Sequence, residues 1–403
     1  MTETWALAAL WVGLALIATL VSIWWRIATA LSEIVVGTVA QLLIGTLVGA
    51  ALLQTDASWV KFLAGAGAII LTFLAGAELD PAVFRAKWRE ATAVGLVGFL
   101  APFLGCAAAA HYLLDWSSTA SWLTGVALST TSVAVVYAVM LEFGLNTTDY
   151  GKTVLAACFI NDLATVLALG ILFAPFTFKT LVFAAGSVTA FAVLPWITPR
   201  FFKRYGGRPS ELEAKFLLFC LFGLGALAAW AESEAVLPAY VVGMVLAGTV
   251  GKDHALIRRL RTLTFGLLTP FYFIRAGSLV SVPTLIAAPT VFIVLLAAKM
   301  ATKFVGVYPV TKLYKSPRRE AMYTTLLMST GLTFGTISSL YGLSHGVIDQ
   351  SQYSFLVAAV IGSAVVPTLI ANLFFLPHHL LPHAVETPAE PALTAPPREA
   401  KSS

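Results

Sequence analysis

The chain has 403 residues, of which 59% are hydrophobic and only 11% charged, with a formal net charge of +5. A water-soluble core cannot use that much apolar side chain. The basic excess falls in short loops between apolar runs and forms no basic face, which argues against nucleic acid as a partner and leaves a polytopic membrane protein.

With about 20 residues needed per helical crossing, thirteen segments are predicted in chain order: 4–25, 32–53, 58–79, 88–113, 118–143, 150–173, 178–199, 211–231, 234–251, 262–281, 284–309, 319–344 and 350–376. The start MTETWALAAL carries Glu3 and no basic n-region, so segment one is expected to stay as an anchor. Loops after odd-numbered segments carry Arg26, then Arg85, Lys87 and Arg89, then Arg200, Lys203, Arg204 and Arg208, then Lys252, Arg258, Arg259 and Arg261, and finally Lys312, Lys315, Arg318 and Arg319. Loops after even-numbered segments have only Lys61 and Lys179. The loop after segment five, with Lys152 at its edge, adds little. The positive-inside rule then places the N-terminus outside and the C-terminus in the cytoplasm.

Segment five holds Ser129, Thr130, Thr131 and Ser132 consecutively near its middle, and segment twelve holds Ser329, Thr330, Gly331, Thr333 and Gly335. Such runs also let intact helices pack closely. Their pairing favours another reading, that both helices unwind there, as transporter helices do where they line a binding cavity. The two segments are seven apart, so they cross the membrane in opposite directions, as in an inverted repeat. Repeat one is expected over about 4–173, a linker helix over about 178–199 and repeat two over about 211–376. Together they make one transmembrane unit, 1–376, followed by a disordered cytoplasmic tail, 377–403, rich in Pro, Ala and Glu and containing His378, His379 and His383.

Asn161 and Asp162 lie near the middle of segment six. A carboxylate halfway along a membrane helix costs at least ~2.5 kcal/mol to insert, which marks Asp162 as a candidate ion carrier. In a partly desolvated cavity, a proton and a monovalent cation compete for one carboxylate, and such competition is an exchange mechanism when the site opens alternately to each side. Asn161 supplies a neutral amide where a second acid would titrate, so 1:1 and electroneutral exchange is the simpler stoichiometry.

Segment eleven carries Lys299 and Lys303 one turn apart. Lys303 is expected to balance Asp162 or the carbonyl ends of the broken helices, and Lys299 to reach the opposite interface or a neighbouring helix. Arg275 in segment ten and Glu78 at the end of segment three are candidates for a buried pair. These charges, like Thr330, Gly331 and Thr333, are read as structural supports of the helix crossing. Cys106, Cys158 and Cys220 have no ligand spacing and are read as core residues.

Six stretches, in this order and spacing, resemble the monovalent cation:proton antiporter superfamily in its second, Kef-like branch. They are Leu74 to Asp80, Leu128 to Val136, Asn161-Asp162, Pro270 to Gly277, Lys303 to Gly306 and Thr330 to Gly335, within a resemblance covering about 30–376. The resemblance implies an all-α fold of about thirteen transmembrane helices in inverted repeats with two crossed discontinuous helices. It also implies an elevator-like core, a separate dimerisation domain and a homodimer in a bacterial inner membrane. In that picture Asp162 binds Na+, K+ or the proton, Asn161 shapes the site, Thr131 and Ser132 contribute oxygens, and Lys303 steadies the crossing. Relatives with Asn-Asp are expected to be electroneutral.

Cys158, one turn before Asp162, stands where some relatives offer a hydroxyl. A thiol is a poor ligand for Na+ or K+. The sequence has no GxGxxG unit, so no nucleotide-binding domain and no cofactor are expected. It also shows no membrane-depth metal motif or nucleophile pair, so it is not read as an enzyme. The alternative is a cation-coupled symporter of a small organic anion, with Arg275 and Lys303 holding the carboxylate.

Overall fold

A computed structural model describes residues 2–25, 29–47, 53–77, 81–173, 177–231, 233 and 236–381. In chain order the helices are α1 (Thr2–Trp25), α2 (Thr29–Leu47), α3 (Ser58–Ala77), α4 (Pro81–Leu114), α5 (Ser118–Ser129), α6 (Val133–Glu142), α7 (Asp149–Phe173), α8 (Phe178–Tyr205), α9 (Leu212–Trp230) and α10 (Val236–Leu246). They continue with α11 (His254–Leu263), α12 (Thr269–Ser278), α13 (Val282–Ala287), α14 (Pro289–Leu313), α15 (Arg318–Met328), α16 (Thr333–Ser344) and α17 (Gln350–Ile370). Among the described residues, eight helices are long and apolar enough to cross a membrane: α1, α3, α4, α7, α8, α9, α14 and α17.

Among the described residues each predicted segment coincides at least in part with helix, and the differences have local causes. Segment two begins earlier, at Thr29, and Leu53 already lies in a turn whose carbonyl accepts the Trp11 indole N–H at 3.1 Å. Segment four starts cleanly after Lys87 because the helix kinks there (φ −116°, ψ 19°). Segment ten is preceded by α11, capped by Asp253, which accepts from the Leu256 N–H at 3.0 Å. α11 buries Leu256, Ile257 and Leu260 while Arg258 and Arg259 face out, and a π-helical turn over Thr264–Leu268 leads it into α12. Segment eleven is divided at Ala288, before Pro289, into α13 and α14.

The helices pack in two sets. One consists of α4 to α7 and α14 to α17, with α4 packed on α5, α7 and α14. The other is built from α1 to α3 and α8 to α12, and depends on two glycine crossings. Gly37 of α2 lies on the Ile274 carbonyl and Gly277 of α12 on the Ile34 carbonyl; Gly76 of α3 lies on the Tyr240 carbonyl and Gly243 of α10 on the Phe73 carbonyl. In both crossings each glycine meets the residue three positions before its partner glycine. An inverted repeat with a seven-segment offset exchanges α2 with α10 and α3 with α12, so it maps one crossing onto the other.

Few contacts join the two sets. The Tyr240 hydroxyl donates to the Phe159 carbonyl (3.1 Å), Tyr353 donates to the Ala276 carbonyl (2.9 Å), and the Ser281 N–H donates to Ser354 Oγ (2.8 Å). The predicted tail begins with ordered chain. A 3-10 turn over His378–Leu380 places His379 Nε2 2.8 Å from Glu320 Oε1 at the start of α15. The remainder of the tail, 382–403, lies outside the described residues.

Candidate functional site

Both predicted breaks are present. α5 stops at Ser129 and α6 begins at Val133; α15 stops at Met328 and α16 begins at Thr333. The intervening residues cross each other: the Ser132 N–H donates to the Thr330 carbonyl at 3.1 Å, and the Thr131 hydroxyl donates to the Met328 carbonyl at 2.8 Å. Non-helical backbone at this depth must satisfy its polar groups internally. The two breaks do so for one another.

Asn161 and Asp162 of α7 lie against this crossing, both buried. The Asn161 Oδ1 accepts the Thr131 N–H at 2.9 Å and its Nδ2 faces the Gly95 carbonyl at 3.5 Å, so the amide locks the first break to α4. The Asp162 carboxylate faces the Val133 N–H at the positive end of α6. Its Oδ1 has no hydrogen-bond partner among the described residues, although Asp162 is only 1% exposed. An uncommitted, buried carboxylate oxygen is what an exchangeable ligand site requires.

Lys303 does not form an ion pair with Asp162. Its Nζ donates to Thr131 Oγ1 at 3.0 Å, a hydroxyl of the first break and neither the acid nor a carbonyl end. Thr131 Oγ1, already donating to Met328, keeps one lone pair free. Ser132 Oγ accepts the Val135 N–H at 3.3 Å, which caps α6 and again leaves a lone pair. Thr330 turns its hydroxyl back to the Leu327 carbonyl at 2.7 Å, while its own carbonyl serves Ser132. Thr333 opens α16, and Gly331 packs against Lys299, which is fully buried at the second break. Cys158 donates to the Met328 thioether at 3.6 Å and therefore fills the core beside the acid.

The predicted Arg275–Glu78 pair involves Glu78, which lies outside the described residues. Arg275 Nε donates to the Thr55 carbonyl at 2.8 Å and its Nη2 lies 3.6 Å from Asp56, just before α3 begins. Lys61, 2.9 Å from Asp56, and then Arg275 hold the Asp56 carboxyl below the usual carboxylate range. Because the folded value is depressed, this stabilisation is present above the ordinary carboxylate pKa and is lost as pH falls through the folded value. Asp56 is 76% exposed, so solvent screening limits its worth. Asp56→Asn is expected to cost at most about 1 kcal/mol in thermal unfolding at pH 7, with the difference vanishing in acid.

The crossing allows a sharper prediction. Thr131→Val removes the acceptor of Lys303 and the donor to Met328 together. A loss of about 1–3 kcal/mol per stranded polar group is expected, seen as a lowered Tm, whereas Thr131→Ser retains both bonds.

Two features of the structure had no clear signal in the sequence. Tyr240 packs its ring on Phe159 and Phe334, with centroids at 6.1 and 5.8 Å, joining α10 to the helices around Asp162. Glu33 of α2 is a second buried carboxylate, only 2% exposed.

Two discontinuous helices crossing beside a buried acid, each from one half of an inverted repeat, define the class of secondary transporters. The chain belongs to the sodium/hydrogen exchanger family, whose transmembrane model matches residues 13–376. Among curated proteins it is similar to cation/H(+) antiporter 17 of Arabidopsis thaliana (28% identical over 78% of this chain and 41% of that protein). It is also similar to the probable Na(+)/H(+) antiporter 3 of Methanocaldococcus jannaschii (24%; 81% and 86%) and to the glutathione-regulated potassium-efflux system protein KefC of Salmonella heidelberg (25%; 76% and 51%). The chain spans about two-fifths of the length of the Arabidopsis relative. The solved structure of the sodium proton antiporter MjNhaP1 from Methanocaldococcus jannaschii at pH 8 has the same fold, with a TM-score of 0.67 over 92% of this chain and 96% of that one at 14% identity.

Proposed function

We propose that this protein is a secondary antiporter that exchanges Na+ or K+ for H+, with Asp162 as the shared site. The observation that carries the reading is the uncommitted Oδ1 of a fully enclosed carboxylate at the crossing of the two broken helices. A proton and a cation each satisfy that oxygen, and they exclude one another. The remaining lone pairs of Thr131 and Ser132 supply further oxygens when the site holds a cation, and Asn161 keeps the first break in register through the Thr131 N–H.

Asp162 is the one acid of the Asn161-Asp162 pair, and the Lys303 amino group is engaged with Thr131. Exchange of one proton for one cation moves no net charge. The movement that alternates access is read as a shift of the α4–α7 and α14–α17 set against the other set, because few contacts join them. We read the protein as a homodimer in a bacterial inner membrane with its N-terminus outside, a reading supported by the loop charge and by the family.

Proteoliposomes with an imposed pH gradient test the function. Addition of Na+ or K+ is expected to dissipate the gradient at the same rate with the membrane potential clamped or free. A rate that changes with the clamp removes electroneutrality, and no proton movement with any monovalent cation removes the antiporter reading.

A further inference from the structure

Lys299 lies one turn before Lys303 on α14, is fully buried, and has no hydrogen-bond partner for its Nζ among the described residues. Its position becomes intelligible when the two breaks are compared. Ser129-Thr130-Thr131-Ser132 in the first is matched by Ser329-Thr330-Gly331-Leu332 in the second. Ser129 and Ser329, and likewise Thr130 and Thr330, turn their hydroxyls back onto carbonyls of their own helices. The helices leading into the breaks start from N-cap residues of the same backbone geometry, Ser117 (φ −54°, ψ 152°) and Pro317 (φ −53°, ψ 152°).

In this register Gly331 stands where the first break has Thr131, and Lys299 and Lys303 correspond to Phe99 and Phe103 of α4, which stack at 5.2 Å. The chemistry is thus divided between the halves: one carries the acid and the other the amines. At the first break, Lys303 meets the Thr131 hydroxyl. At the second there is no side chain to meet, and the Lys299 Nζ occupies the space that a Cβ on Gly331 would take, with Thr130 Oγ1 2.9 Å and Ser363 Oγ 3.3 Å from that same point.

We propose that Lys299 is a positioning residue of the transport site, its amino group standing at the second break in place of the hydroxyl that Thr131 supplies at the first, and that position 331 is glycine in order to admit it. The inference rests on the crossing being the transport site. Lys299 acts through the backbone: it fixes Gly331, the neighbouring Thr330 carbonyl holds the Ser132 N–H, and Ser132 leads into Val133, whose N–H faces Asp162.

The test is a double-mutant cycle on the full chain with Gly331→Ala, Lys299→Ala and the double variant, read in thermal unfolding and in proteoliposome exchange, together with Lys299→Met. Gly331→Ala alone is expected to lower exchange about tenfold or more, and removal of the amine in the double variant to recover most of that loss, a coupling characteristic of residues in direct contact. Lys299→Met keeps the bulk and removes the amino group, so it is expected to shift the pH profile of exchange and raise the apparent KM for the cation. Additive losses in the double variant, or a Lys299→Met protein with the wild-type pH profile and KM, overturn the proposal. Should Gly331→Ala fail to fold, the Lys299→Met profile decides alone. Non-additive Tm shifts in a protein whose wild type moves no protons place the failure in the antiporter reading and leave the pairing intact.

Discussion

Asp162→Asn is expected to abolish cation-driven proton movement, by at least about 100-fold, while the protein remains folded. The substitution keeps the shape of the side chain and its place on α7, but removes the carboxylate proposed to exchange a proton for a cation. Its effect on stability separates a transport role from a structural one. Asp162 accepts no side-chain ion pair, and its Oδ1 is unsatisfied in the described structure. Replacing an uncompensated buried acid with a neutral amide is therefore expected to leave Tm unchanged or to raise it. Had Asp162 been a structural counter-ion of Lys303, the same change would strand a buried amine and destabilise by about 3–5 kcal/mol. Exchange rate and Tm measured on one preparation distinguish the two: lost transport with retained Tm supports the carrier role, and retained transport contradicts it.

The second large effect concerns folding. Gly277→Val puts a branched side chain onto the Ile34 carbonyl, where α2 and α12 meet backbone to backbone. No flexible side chain lies there to yield, so the helices must separate and the reciprocal contact of Gly37 with Ile274 opens as well. A loss of more than about 3 kcal/mol is expected, seen as little monodisperse protein in size-exclusion chromatography and a collapsed Tm. Gly13→Ala is the matched control, because nothing lies within 4 Å of a Cβ at that position. It is expected to be neutral or slightly stabilising, as alanine favours the helix by up to about 1 kcal/mol. A Gly277→Val protein that behaves like Gly13→Ala contradicts the close crossing.

These two sites differ in how visible they are in the sequence. Asp162 is conspicuous because a charge in an apolar run has a large and general cost. The breaks are visible because Ser and Thr in consecutive positions give up helix propensity in two segments at matching places. Lys303 is visible for the same reason as Asp162, but its partner is not: only the fold shows that it meets Thr131 and leaves the acid uncommitted.

Gly277 and Gly37 are single glycines among many, and nothing local distinguishes a crossing from a neutral position such as Gly13. Glu33 was hidden at an edge: a segment predicted from 32 puts it at the margin, whereas α2 begins at Thr29 and draws it inside. The acids at the two ends of segment three look equivalent in the sequence, and only the fold shows which one Arg275 meets among the described residues. Asp56, in the loop before α3, is the acid at the same end of that helix as Arg275.

The central claim is that one carboxylate is shared by a proton and a cation. Proton release from purified protein in unbuffered detergent solution, on addition of Na+ or K+, tests it most directly. About one proton released per cation bound is predicted for the wild type, and none for Asp162→Asn. Cation binding to the wild type without proton release, or equal release from the variant, would contradict it.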